Sequence, residues 1–152
     1  MERQSRIQPE EIGDSRPVYA LRIASQLSGV PTHSIRQYID KGLILPHKLD
    51  SNRHLFSQND VNRLKVINQL LHEKGLNFAG IRALMATMPC WAIRNCSPED
   101  RELCLAYSAD SDPCWEASVK GRECRNRDCR ECEVYRYLSE GRDLKSVLRE
   151  RI

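Results

Sequence analysis

Cys90, Cys96, Cys104, Cys114, Cys124, Cys129 and Cys132 are the seven cysteines of this 152-residue chain, and no cysteine precedes Cys90. Thiolates bind soft metals, build iron–sulfur clusters and react with oxidants. In a reducing cytosol, clustered thiols favour those roles over structural disulfides, and an odd count points the same way. Of the gaps between them, Cys129-x2-Cys132 alone lets neighbouring thiolates face one metal, whereas a zinc ribbon needs two such pairs. Cys124-x4-Cys129-x2-Cys132 reproduces the local spacing of a plant-type ferredoxin. A fourth ligand then comes from Cys114 or Cys96. All seven are candidate metal ligands, and the expected cofactor is an iron–sulfur cluster or zinc. Arg122, Arg125, Arg127 and Arg130 flank the last three and are expected to favour thiolate, with Glu123, Asp128, Glu131 and Glu133 as competing ion partners.

The same stretch echoes itself. Pro89-Cys90-Trp91 returns as Pro113-Cys114-Trp115, and Cys104-Leu-Ala-Tyr107 returns as Cys132-Glu-Val-Tyr135. Repetition of Cys, Trp and Tyr at related spacing predicts two half-units building one small core.

The residues before the cysteines have a different character. Residues 17–88 carry nine Lys or Arg against four Asp or Glu, while residues 89–152 carry twelve against thirteen. A basic surplus in the first part suits a polyanionic partner. Leu21, Ile23, Ala24 and Leu27 predict a short helix closed by Ser28-Gly29. Thr32 is expected to cap a second helix with Ile35, Tyr38 and Ile39 inward, ending at Lys41-Gly42. Two helices joined through a glycine turn form a helix-turn-helix. Residues 43–46 and 53–56 then predict the strands of a wing. Ser57 caps a longer helix, with Asp60 as the acidic member of a capping box and Val61, Leu64, Ile67, Leu70 and Leu71 inward. Asn77 opens a fourth helix with Phe78, Ile81, Leu84 and Met85 inward, and Pro89 ends it. Farther on, Val134, Leu138, Leu144 and Leu148 recur at helical spacing around Gly141.

Thr32, His33, Arg36, Gln37 and Lys41 lie on the second helix away from its apolar stripe. Arg and Gln suit bidentate contacts to base edges, and Thr and Lys suit phosphate. Arg53 and His54 on the wing are placed for an adjacent phosphate or the minor groove. The competing reading is a solvated face on a small helical domain.

The order of elements resembles the DNA-binding domain of the MerR family of bacterial transcription regulators. The resemblance is carried by YALRIASQLSGVPTHSIRQYIDKGLILPHK and NRHLFSQNDVNRLKVINQLLHEKGLNFAGIRALM, and GLNFAGIRALM is most similar to the heat-shock-repressor branch. It implies Arg36 and Tyr38 as backbone or base contacts, Arg53 as the wing contact, and the Tyr38 hydroxyl aimed at phosphate; core packing is the alternative for Tyr38. Family members often have two adjacent tyrosines where this chain has Gln37-Tyr38. The family also implies a homodimer on a near-palindromic site, usually through a long helix directly after the fourth. Pro89-Cys90-Trp91 interrupts that place, so dimerisation falls to the thiol-rich module, the Val134–Leu148 segment or a shorter contact. The thiol-rich stretch itself resembles a cysteine-rich Cys-Trp module found beside bacterial signalling domains, which implies a sensor.

The fold class expected is mainly α: a winged helix-turn-helix (helix-turn-helix, two-stranded wing, two further helices) followed by a small irregular cysteine-rich module. The divisions are a flexible tail at 1–16, the DNA-binding domain at 17–88, the cysteine-rich module at 89–137 and a helical C-terminal tail at 138–152. No run of eighteen apolar residues supports a membrane span, and residues 1–17 lack the apolar stretch of a signal peptide, so a cytoplasmic location is expected. No catalytic triad, phosphate loop or His-Glu-x-x-His motif marks an enzyme. The reading is a transcription regulator on double-stranded DNA whose thiol module senses metal, cluster or redox state. The alternative is a constitutive DNA binder with a purely structural zinc-stabilised dimerisation module.

Overall fold

A computed structural model describes residues 14–151. Most of the expected N-terminal tail, residues 1–13, lies outside that range. At its edge, the Asp14 carbonyl accepts from the Asn59 amide at 3.0 Å.

Helix α1 spans Leu21–Ser28 and stops where Gly29 adopts φ 73°, its amide bonding the Ser25 carbonyl at 2.9 Å. That left-handed cap suits glycine because no Cβ meets the following carbonyl. Ala24 is buried, whereas Ile23 and Leu27, which also belong to the apolar pattern that predicts the helix, are exposed. Helix α2, Thr32–Asp40, begins behind Pro31 with no side-chain cap, so Thr32 is the first helical residue rather than the cap. Proline just before the helix fixes φ for entry, and the first helical amides have no intrahelical partner to lose. Ile35 and Tyr38 face the core.

The wing differs from expectation in register. Strand β2 is His47–Lys48 and strand β3 is His54–Phe56, paired antiparallel with Lys48 opposite His54. Residues 43–46 form no strand. Leu43 and Ile44 are consecutive and both fully buried, which an alternating strand facing solvent on one side cannot achieve. A further strand, β1 at Tyr19–Ala20, pairs with β3 to give the order β1-β3-β2; two residues are too short for a visible alternation.

Helix α3, Gln58–His72, has the expected capping box: the Asp60 amide donates to Ser57 Oγ at 3.1 Å, and the Ser57 amide to Asp60 Oδ2 at 2.8 Å. Burial raises the Asp60 pKa, and the hydrogen bonds its carboxyl receives from the Ser57 amide and hydroxyl oppose the rise. Helix α4, Phe78–Ala86, is capped by Asn77 and buries Ile81 and Met85. Five short helices follow: α5 Cys90–Ile93, α6 Pro98–Glu102, α7 Leu105–Ser108, α8 Glu133–Ser139 and α9 Leu144–Arg151. Single helical turns at Cys114–Glu116 and Cys129–Glu131 lie between α7 and α8. Among the described residues no helix is long and apolar enough to cross a membrane.

The cysteine boundary in the sequence is not a packing boundary. Trp115 (8% exposed) and Tyr135 (3%) belong to the same core as Ala24, Ile35, Leu43, Phe56, Leu64 and Ile81. Helix α8 packs along α3. At their junction Arg63 is 0% exposed. Its Nε donates to the Leu43 carbonyl at 2.7 Å, and Nη1 donates to the Tyr135 carbonyl. The guanidinium carbon sits 3.7 Å from the Tyr135 ring centre and 5.1 Å from that of Trp115. The expected division between residues 17–88 and 89–137 therefore does not divide the core: the second module closes over a charge that belongs to the first. A smaller cluster of Ile93, Val134, Tyr137 and Val147 joins α5, α8 and α9.

Trp115→Ala is expected to lower the stability of the whole chain by about 3–5 kcal/mol. Urea unfolding followed by far-ultraviolet circular dichroism should show one transition at lower urea. An unmoved transition for the helices of residues 17–88 would contradict the shared core.

Candidate nucleic-acid interface and thiol cavity

All seven cysteines line one cavity of about 380 Å³. Each is a free thiol and partly buried. The sequence echo explains how they are brought there. Cys90 and Cys114 each follow a proline and begin a helical turn, while Cys104 and Cys132 each stand at the N-cap of a short helix. Each tryptophan then meets the tyrosine of its own repeat edge to face. Trp91 and Tyr107 lie 5.4 Å apart at 88°, and Trp115 and Tyr135 lie 5.0 Å apart at 83°. These four rings also line the cavity. The half-units expected to build one small core of their own are instead two aromatic pairs flanking one thiol-lined space, with Trp115 and Tyr135 in the core shared with the first half of the chain.

Burial pushes the Cys90 thiol up to about 11, with Cys104, Cys124 and Cys96 adding to the rise. Cys114 is raised further by burial and then by Cys90, Cys129, Cys132 and Cys124. Cys96 and Cys124 also move upward, burial first. Without a bound cation these four thiols stay protonated near neutral pH, so a metal must displace protons to bind.

The expected electrostatic help from the flanking arginines is corrected. Arg130 turns away, bonding Asp128 at 2.9 Å and approaching His47 Nδ1 at 3.1 Å. Arg122 lies 3.7 Å from Asp100 with its side chain mostly exposed. Arg125 is exposed, and Arg127, also exposed, is the one of the four that lines the cavity. Two further cations near thiols were not singled out in the sequence. Arg94 is the group that opposes the rise at Cys124. Lys120 Nζ lies 3.6 Å from Cys129 Sγ and donates to the Trp115 carbonyl at 3.1 Å. Among the described residues, no three His, Cys, Asp or Glu side chains converge as ligands of a single ion; the thiols are distributed around the wall.

The second surface is the outer face of α2 and the wing. His33, Arg36, Gln37 and Lys41 are exposed, and Thr32 is partly buried at the helix start. Lys41 Nζ lies 5.9 Å from the centre of the Phe78 ring. Arg53 is exposed at the end of the wing turn, where the Leu49 amide donates to its carbonyl at 2.8 Å, and His54 is partly buried in β3. Tyr38 is the exception and is corrected from a DNA contact to a core residue. It is 1% exposed, packs edge-on against Phe78 at 6.1 Å, and its hydroxyl donates to Asn68 Oδ1 at 3.5 Å. Lys48, exposed on β2, adds a cation to the wing that the motif reading passed over.

The two surfaces meet through the segment joining α2 to β2. Arg82 Nη1 donates to the Lys41 carbonyl, and Trp115 Nε1 to the Gly42 carbonyl at 2.7 Å. Arg63 holds the Leu43 carbonyl, and the Leu45 amide donates to the Tyr135 hydroxyl at 2.7 Å. Arg82 is itself held by Asp112 and Glu116, each at 2.6 Å. Gly42 has φ 72°, and a Cβ there would collide with the Glu116 carboxylate. Every one of these bonds either comes from the cysteine-bearing residues or is braced by them.

A helix-turn-helix followed by a wing, with exposed cations on the second helix and at the wing tip, defines a winged helix-turn-helix domain. Residues 19–88 match the MerR HTH regulatory protein family, and this part of the chain is a MerR-family domain. A Streptomyces coelicolor protein assigned as the heat shock protein HspR is 34% identical over 77 residues, covering 51% of each chain. GlnR, an HTH-type transcriptional regulator, is 38% identical over 71 residues in Bacillus anthracis and in Bacillus cereus, covering 47% of this chain and 54% of GlnR. The chain thus spans about half the length of these relatives. The family match ends at Met88, so the thiol cavity is read from its own geometry.

Arg36→Ala is expected to weaken binding to the cognate duplex by about 1–3 kcal/mol, the worth of a base-reading arginine. Tyr38→Phe should leave affinity and its salt dependence near wild type. Gel-shift titrations at two salt concentrations check both; a large loss with Tyr38→Phe alone would put that hydroxyl back on the DNA.

Proposed function

We propose that this chain is a cytosolic transcription regulator that binds double-stranded DNA as a homodimer and senses chemical state through an iron–sulfur cluster held in the thiol cavity. The DNA-binding part of the reading is supported by the MerR-family domain and by exposed Arg36, Gln37, Lys41 and Arg53 on one helix and wing. The sensing part is carried by a single observation: all seven cysteines line one cavity whose wall includes the rings that grip the α2–β2 segment.

The donor set fits a cluster. A tetrahedral zinc needs its donors at one point, whereas thiols spread around about 380 Å³ suit a ligand with several metal atoms and bridging sulfides. Cys124, Cys129 and Cys132 are the proposed core ligands by spacing. Cys114 is the proposed fourth; it lines the same cavity, and Cys90, then Cys129, Cys132 and Cys124, are the thiols that act on it. Lys120 beside Cys129 offers a cation against the negative charge of a thiolate-ligated cluster. When bound, such a group supplies sensitivity to oxygen and to redox potential; the protein's part is to hold it and to relay its state. The apolar residues Leu103, Leu105 and Val119, exposed near the cavity, are available to a dimer contact in place of the long helix that α5 interrupts.

Anaerobic purification with visible absorption and elemental analysis tests the cofactor. A brown protein containing iron and acid-labile sulfide is expected, with both lost in Cys129→Ser/Cys132→Ser. A colourless protein holding stoichiometric zinc would instead support the structural zinc reading.

A further inference from the structure

We propose that the segment Lys41–Leu45 is the joint through which the thiol cavity sets the angle between the recognition helix and the wing, with Trp115 and Tyr135 as its positioning residues. This rests on the reading of the cavity as a cluster site. Trp115 directly follows Cys114, and Tyr135 lies three residues after Cys132. Both rings face the cavity, yet both polar atoms leave it: the indole N–H for the Gly42 carbonyl, the phenol oxygen for the Leu45 amide. Each ring is a rigid lever with few rotatable bonds, and the two levers touch at 5.0 Å. A shift in the cavity wall therefore arrives at two backbone positions that bracket Leu43, itself pinned by Arg63.

Gly42 supplies the pivot. Its left-handed conformation and the Glu116 carboxylate against it leave no room for a side chain. Arg82, braced by Asp112 and Glu116, holds the Lys41 carbonyl at the end of α2. Helix α2 stops at Asp40 and β2 starts at His47, so the joint is the direct link between the two DNA-contacting elements. Phosphate contacts from wing and helix fix register only when both are correctly spaced. A ligand that favours one setting of the joint shifts the population of DNA-competent heads by its differential affinity for the two settings.

The test compares the full-length protein reconstituted anaerobically with ferrous iron and sulfide against the same protein stripped by a chelator. Affinity is read by fluorescence anisotropy on a duplex selected from random sequence by the wild type. In the wild type the two states should differ by about 5- to 150-fold in affinity, and in Tyr135→Phe and Arg82→Gln the ratio should fall to within about twofold of unity. Iron content is measured on the same samples. Variants that load iron and keep the wild-type ratio would overturn the joint while leaving the cofactor reading intact. A wild type that loads iron yet binds DNA equally in both states would overturn the joint and the sensing role; a wild type that takes up no iron would remove the cofactor reading and the joint with it. Should Tyr135→Phe fail to load, Arg82→Gln decides, because its side chain lies outside the cavity.

Discussion

A guanidinium sealed from water is the constraint on which this structure depends. Arginine keeps its charge in proteins, and burial lowers the Arg63 pKa, with Tyr135, Asp60 and Cys114 opposing the fall. Stranding such a charge by removing a partner costs about 3–5 kcal/mol. The MerR-family half supplies only part of what Arg63 needs: the Leu43 carbonyl, the Met85 sulfur 3.9 Å from Nη2 and the field of Asp60. The Tyr135 carbonyl, the Tyr135 ring face and the Trp115 ring come from the cysteine-rich half. Neither half satisfies this residue alone, so the two fold as one unit. The residues that complete the site also line the thiol cavity, which is why that cavity is mechanically adjacent to the end of α2.

Local signals in the sequence were legible because their physics is local. The Ser57–Asp60 capping box and the Gly29 stop of α1 are each decided within a few residues, whereas the apolar spacing read as helical across Gly141 is divided there into α8 and α9, with Gly141 at φ 67°. Arg63 was hidden because apolar periodicity counts only apolar residues. Its position between Asp60 and Ile67, beside Leu64, nevertheless places it on the inward face of α3. Leu43 and Ile44 read as a strand but lie in the core, where the Leu43 and Gly42 carbonyls accept from the Arg63 and Trp115 side chains rather than from a sheet ladder. Tyr38 was open to two readings on the sequence alone, and burial against Phe78 chose packing.

The cysteine-rich half shows the same division. Its internal echo was visible, and the geometry gives the echo meaning as two Trp–Tyr pairs facing one cavity. The arginine-rich flank suggested thiolate stabilisation, but Arg130 and Arg122 find Asp128 and Asp100, Arg125 is in solvent, and only Arg127 lines the cavity. Lys120, which lies beside Cys129 in space, is nine residues away along the chain. The halves of the echo have also diverged in use. Trp115–Tyr135 is sealed into the common core, whereas Tyr107 remains exposed beside Leu105. One copy anchors the module to the MerR-family domain while the other stays at the surface.

Native-state hydrogen exchange tests the unity of the two halves most directly, because opening free energies separate cooperative units. If Arg63 binds them into one structure, the slowest amides of α3 and of α8 should open with the same free energy and the same dependence on denaturant. Exchange from α8 at a distinctly lower free energy, with α3 unaffected, would contradict it.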